Sequence, residues 1–242
     1  MKKIFLLKFF IIGMVILGVS LKCFAQEEPQ YFIYLTWRAE TFSELDYKGK
    51  NLPVIDSKVY AEVQIFDKQG RKVDPDQFIF YWEVNYDSQF FDCFSHKFYE
   101  PGFGKNKICF RASKIDFGAY KIKVAIQNPG YLQRESFEIP YREPEVVILP
   151  YQKKVALKEI ELKPTMNFYL KKYFFSSLEN LEVRWYLNEK VSEGKPKNPF
   201  LITLEFWPEI SKGEEFDLYA ECFNLKSKFQ RAKAGPIKIV KR

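Results

Sequence analysis

The sequence predicts an all-β protein, two β-sandwiches in tandem behind a secretion signal. Three observations carry that reading: apolar residues alternate with period two, the chain repeats itself once, and after residue 25 no stretch offers an amphipathic helix beyond a short turn near Phe174 to Glu179. Lys58 to Phe66 sets Val59, Ala61, Val63 and Ile65 on one face. Tyr120 to Ile126 does the same with Tyr120, Ile122, Val124 and Ile126, and leaves Lys121 and Lys123 opposite. Successive strand residues point to opposite sides, so each such strand has one core face and one wet face. Breakers separate the strands at Asp67-Lys-Gln-Gly70, Asp74-Pro75, Pro101-Gly102, Asn128-Pro129-Gly130 and Lys212-Gly213.

Residues 1–25 read as a signal peptide. Lys2 and Lys3 precede an apolar run from Phe9 to Leu21, and Cys23-Phe24-Ala25 places small residues at the positions a signal peptidase needs. The run is shorter than the roughly 20 residues of a comfortable membrane span, so cleavage after Ala25 is expected rather than anchoring. Export also accounts for the charge. Taking Lys2, Lys3, Lys8 and Lys22 from the 38 basic residues leaves 34 against 31 acids, so the formal +7 falls to +3. With no basic stripe left, nucleic acid is not an expected partner.

Composition narrows the chemistry further. Apolar residues at 47% and charged residues at 29% match ordinary globular usage and exclude a disordered chain. The single His96 leaves a Ser-His-Asp triad resting on one residue and rules out a His-rich zinc site. Asp87, Asp92 and Glu100 lie near one another in sequence, but nothing in their spacing fixes the ~5–10 Å separation that a glycosidase pair requires. No calcium loop rich in Asp and Asn is present. The expectation is therefore a protein without catalytic residues, cofactor or metal.

The repeat sets the organisation. Phe80-Tyr-Trp82-Glu-Val-Asn85 is echoed by Val183-Arg-Trp185-Tyr-Leu-Asn188, with Trp and Asn in register. Tyr120 lies eight residues before Asn128, as Phe216 does before Asn224. Two matched strands in the same order imply a duplicated domain. Pro140-Tyr-Arg-Glu-Pro144 cannot continue a central strand, because proline has no amide donor, and reads as a semi-rigid spacer. The expected domains are 26–143 and 144–242, each near the size of a sandwich of about 100 residues.

The Trp on the third strand, its hydrophobic-Asn ending, and the later Gly118-Ala-Tyr120 opening an alternating strand resemble an immunoglobulin-like or PKD-like module of bacterial exported proteins. The likeness covers most of 54–140 and, more weakly, 145–240. Tyr34-Leu-Thr-Trp-Arg-Ala39 with Gly49-Lys-Asn-Leu-Pro53 is also similar to tandem immunoglobulin-like surface proteins of small-genome bacteria. The resemblance implies that Trp82 and Trp185 are buried core tryptophans and that Tyr120 is a tyrosine-corner residue. Phe216 takes that place in the second copy without the hydroxyl. The sequence departs from the pattern in lacking a cysteine pair between the second and sixth strands, and the Asp-Gly turn of PKD repeats. A fold of this kind implies no activity by itself.

Removal of the signal leaves Cys93, Cys109 and Cys222. Cys222 falls on an inward face with Phe216, Leu218 and Ala220 and reads as a buried free thiol. Cys109 alternates away from Ile108 and Phe110 toward the segment that holds Cys93, and a Cys93–Cys109 disulfide is expected. That segment, Tyr86 to Lys107, is the candidate partner-binding surface. It carries Tyr86, Phe90, Phe91, Phe94, His96, Phe98, Tyr99 and Phe103, whereas its counterpart, Glu189 to Pro199, is half as long and has no aromatic residue. The fold does not require such an insertion, and clustered aromatics suit protein or sugar contacts, so the segment should be replaceable by a short turn without unfolding; the alternative is that the rings fold back and cover an edge strand. The expected function is protein–protein interaction or scaffolding at the cell envelope or surface; the alternative is a carbohydrate-binding accessory protein using the aromatic loop. No span or wall-sorting motif follows Val240-Lys-Arg242, so attachment through a partner is expected.

Overall fold

The computed structural model describes residues 31–114, 118–192 and 197–242; the expected signal peptide lies outside them. The first half contains β1 (Tyr31–Ala39), β2 (Phe42–Ser43), β3 (Lys58–Asp67), β4 (Ile79–Val84), β5 (Phe91–Asp92), β6 (Lys97–Phe98), β7 (Gly102–Phe103), β8 (Lys107–Arg111), β9 (Ala119–Asn128) and β10 (Tyr131–Pro140). The second contains β11 (Glu145–Pro150), β12 (Glu159–Glu161), β13 (Thr165–Phe175), β14 (Leu181–Leu187), β15 (Lys190–Val191), β16 (Leu201–Glu205), β17 (Glu215–Asn224) and β18 (Ser227–Val240). Among the described residues the helical content is one short 3-10 turn at Pro75–Gln77.

In the first copy, one sheet runs β1-β3-β8 and the other β10-β9-β4-β7. The second copy repeats the plan as β11-β13-β16 and β12-β18-β17-β14-β15. The chain changes sheets between β3 and β4 and again on either side of β8, which is the Greek-key crossing of an immunoglobulin-like sandwich. Each pair of sheets closes on its own apolar cluster. Trp82, Tyr120, Phe78 and Phe80 centre the first, and Phe168, Leu170, Trp185 and Ile239 the second.

The two echoed motifs do the same work in both copies. The Trp82 indole N–H donates to the Lys105 carbonyl at 2.9 Å, and the Trp185 indole to the Pro199 carbonyl at 3.0 Å, each acceptor two residues before the next long strand. Asn85 and Tyr86 have φ of 50° and 67°, and Asn188 and Glu189 have 48° and 66°. Two successive positive φ values make a tight hairpin turn, and Asn adopts that conformation more readily than most residues. Each Asn carboxamide also accepts a backbone N–H from the strand paired beside it, Lys121 N of β9 at 2.9 Å and Asp217 N of β17 at 2.8 Å. The Trp-x-x-Asn register thus joins a core anchor to a turn that fixes the neighbouring strand.

The tyrosine corner is present in the first copy. Gly118, at φ 67°, turns the chain into β9, and the buried Tyr120 donates its hydroxyl to the Ser113 carbonyl. Phe216 is half-buried at the corresponding place and packs on Phe206 at 5.1 Å. The helical turn expected near Phe174 is not formed. β13 runs to Phe175, and Phe174 itself sits at φ 60°, outside helical geometry, with its ring against Tyr47.

That ring belongs to a junction the sequence did not announce. Residues 40–56 leave the first sandwich and lie on the second: β2 pairs with β13, and Val54, Ile55 and Phe174 form a third small core with Tyr47, Leu52 and Tyr173 around it. Lys172 is buried on the alternation phase of Met166, Phe168 and Leu170, where an apolar residue would ordinarily stand. Its ammonium meets Glu44 at 2.8 Å and the Phe200 ring at 4.0 Å, and Glu44 also accepts from the Tyr169 hydroxyl at 3.0 Å. Gln230, fully buried, donates to the Ile55 carbonyl and accepts from Ser176 N at 3.0 Å, while Ser227 donates to Asp56.

Candidate functional site

The segment from Tyr86 to Lys107 divides into an inner and an outer part. After the Asn85-Tyr86 turn, Val84 and Asp87 exchange two backbone hydrogen bonds of 2.9 and 3.0 Å. The chain then dips: Phe90 and Tyr99 are buried, stacked on each other with centroids 5.1 Å apart, and Phe90 reaches Phe110 at 6.5 Å. Tyr99 donates its hydroxyl to the Phe80 carbonyl at 2.8 Å, and burial raises its pKa. These two rings belong to the first core and cannot meet a partner. The expectation that they form part of an exposed surface is corrected on that ground, and so is the expectation that the whole segment could be replaced by a turn.

Between them, β5 and β6 form a short hairpin with a turn tied down from below. The Asp92 carboxylate is buried and accepts from Cys109 N at 3.0 Å and Ser95 N at 3.0 Å. Cys93 N donates to the Cys109 carbonyl at 2.9 Å, and Cys93 and Cys109 are joined by a disulfide with Cα atoms 5.0 Å apart. Cys109 does alternate away from Ile108 and Phe110, and the hairpin turn then covers it. With both Asp92 oxygens holding backbone amides, that carboxylate is a structural group. Cys222 is fully buried, and burial pushes its thiol up to about 12.

The outer part presents what the inner part fastens. Phe91 and Phe98 face each other across the hairpin at 6.2 Å, edge to face, and stand 51% and 68% exposed. Phe94 lies at 5.4 Å from the Tyr60 ring on the outer side of the β1-β3-β8 sheet. Tyr86 is exposed with the Lys123 ammonium 4.6 Å from its ring, and His96 and Phe103 are exposed as well. The structure therefore brings Phe91 and Phe98 together, sets Phe94, His96, Tyr86 and Phe103 around the same segment, and removes Phe90 and Tyr99. Among the described residues no group of three or more His, Cys, Asp or Glu side chains is placed to hold a metal ion.

Several surface features escaped the sequence reading. Trp207, in the turn after β16, is 82% exposed. A groove of about 790 Å³ runs between the outer face of β4, β9 and β10 and the near side of the long segment, with Tyr81, Ala125 and Arg134 among its lining residues. Its trace in the sequence is slight: Tyr81 is the outward residue between inward Phe80 and Trp82, and Ala125 follows Lys121 and Lys123 in the outward row of β9.

No family model matches this chain, and no curated protein does. Among solved structures, it is similar to the fibronectin(III)-like modules of Clostridium thermocellum CbhA, at 8% identity and a TM-score of 0.28, over 84% of this chain and 94% of that one. It is similar also to the three N-terminal domains of the bacteriophage RB49 outer capsid protein Hoc, at 11% identity and 0.30, over 88% and 70%. The Bacteroides ovatus protein SGBP-B, solved with a mixed-linkage heptasaccharide, matches at 12% identity and 0.26, over 89% of this chain and 48% of its own, so the chain spans about half the length of that protein. Scores of this size carry no weight for function, and the architecture rests on the strand order.

Proposed function

We propose that the chain is an exported, non-catalytic interaction protein of the cell envelope or surface, and that the hairpin from Phe91 to Phe98 is where a protein partner docks. One observation carries the reading: two large apolar rings stand in water on a hairpin held rigid from below by a buried carboxylate and a disulfide. Interface centres are enriched in such rings, and a pre-ordered hairpin loses little entropy on binding. Phe91 and Phe98 have no polar atoms, so the patch suits the apolar centre of a protein interface better than a hydroxyl-rich ligand. The disulfide supports an oxidising compartment and hence export.

The test compares two baits, the wild-type protein and Phe91→Ser/Phe98→Ser, each passed through the same envelope extract. A protein captured by the first and not the second is the expected result. Identical captures from both would place the partner surface elsewhere, and retention on glycan resin that is lost in Phe91→Ser/Phe98→Ser, with no protein captured, would favour the carbohydrate-binding alternative.

A further inference from the structure

We propose that the groove on the outer face of β4, β9 and β10 of the first copy binds a neutral oligosaccharide, at a site separate from the aromatic hairpin. Its floor is one cross-strand row in which Tyr81 pairs with Ala125, and Ala125 with Arg134. The small Ala125 leaves the partly exposed face of Tyr81 open beside a shallow apolar floor. Gln127 stands in the next row, and Gln89 and Glu100 approach from the long segment that walls the groove. Among the described residues, the side chains of Tyr81, Gln127, Arg134, Gln89 and Glu100 make no hydrogen bond or ion pair with the rest of the chain. One ring with amide, guanidinium and carboxylate groups spread around it is the chemistry that meets a sugar, whose C–H face lies on an aromatic and whose hydroxyls both donate and accept. A volume of about 790 Å³ lies in the range of ligand sites.

The second copy supplies the control. Where the first has Ala125, the second has Glu221, which accepts from Arg231 at 2.6 Å and from the Tyr186 hydroxyl at 3.3 Å. Arg184, in the place of Tyr81, lies 4.7 Å from the Phe223 ring, and Lys233 lies 4.7 Å from Tyr219. The same face of the same fold thus satisfies itself in one copy and leaves its polar groups open in the other. Charge selects the occupant. Lys123 and Glu83 pair at 3.4 Å, and Arg134 stands with Glu100 and Glu135 along the lining, so the groove has no positive excess to attract a polyanion.

The experiment exposes the disulfide-bonded protein to immobilised cello-, malto-, xylo- and chito-oligosaccharides, with heparin and polygalacturonate as anionic controls. Titration calorimetry then follows on any glycan retained. Retention of at least one neutral glycan is expected, with an affinity that falls about tenfold or more in Tyr81→Ala. Ala125→Glu, which installs the residue of the second copy, should abolish binding, and Arg184→Ala should leave it unchanged. If Ala125→Glu does not fold, the surface change Tyr81→Ala decides alone. Retention of only the anionic glycans, of none, or equally by wild type and Tyr81→Ala would overturn the proposal. The Phe91→Ser/Phe98→Ser protein should keep its glycan, so failure here is distinct from failure of the hairpin reading.

Discussion

The two copies place a tryptophan and an asparagine by the same hydrogen bonds, make the same two-residue turn, and then part company. In the first, the chain beyond Asn85-Tyr86 travels through Phe90, a pinned hairpin and Tyr99 before rejoining the sandwich at β8. Both chains pair back directly after the turn, Asp87 on Val84 and Lys190 on Leu187, but the second continues that pairing through Val191 in β15 and carries no aromatic hairpin. Their shared parts are what a sandwich needs in order to close, and the parts found in one copy alone are where a specific role has room to sit. The copies differ in a second way. Residues 40–56 of the first complete a sheet edge of the second and neutralise its buried Lys172, and among the described residues no strand of the second pairs with a sheet of the first.

That second asymmetry sets the largest expected effect. Glu44→Ala leaves the Lys172 ammonium buried without its carboxylate, and removing one partner of a buried pair costs about 3–5 kcal/mol. Denaturant unfolding should show the loss in the second copy, and adding Lys172→Met should restore most of it. A Glu44→Ala protein with an unchanged midpoint would mean that the copies are independent.

The next effect belongs to the first copy alone. Cys93→Ser/Cys109→Ser releases a link across 16 residues, with an expected cost of about 3 kcal/mol. Thiol labelling of the unfolded, unreduced wild type should find one free cysteine, Cys222; three would mean that the link does not form.

The shared framework predicts equality instead. Asn85→Ala and Asn188→Ala each remove one amide contact, to β9 and to β17, and put a less tolerant residue at positive φ, for about 1–2 kcal/mol apiece. A loss confined to one copy would break the correspondence between them. The smallest difference is at the tyrosine corner: Tyr120→Phe should cost about 0.5–1.5 kcal/mol through its single hydroxyl bond, and Phe216→Tyr should gain nothing.

The strands were legible because their alternation is regular, and Val59 to Ile65 and Tyr120 to Ile126 needed only a period of two. The Trp-x-x-Asn echo was visible as a repeat, although its physical cause, a side-chain amide reaching the next strand, is a tertiary contact that no local pattern encodes. Phe90 and Tyr99 misled because an aromatic in a loop looks alike in sequence whether it faces water or folds back; the fastening carboxylate Asp92, one residue after an exposed Phe91, carries no mark either. Lys172 did leave a signal, as a charge breaking the inward row of Met166, Phe168 and Leu170, but its partner Glu44 lies 128 residues away. The groove residues were hidden by their ordinariness, since Ala125 matters only for the side chain it lacks.

The central claim is that the first copy carries binding on a surface its fold does not depend on. The most direct measurement sets the affinity of Phe91→Ser/Phe98→Ser for the captured partner beside its denaturant midpoint. An unchanged midpoint with affinity reduced about a hundredfold is the predicted result, as expected for two exposed hot-spot rings. A lowered midpoint with affinity intact would assign both rings to the core and contradict it.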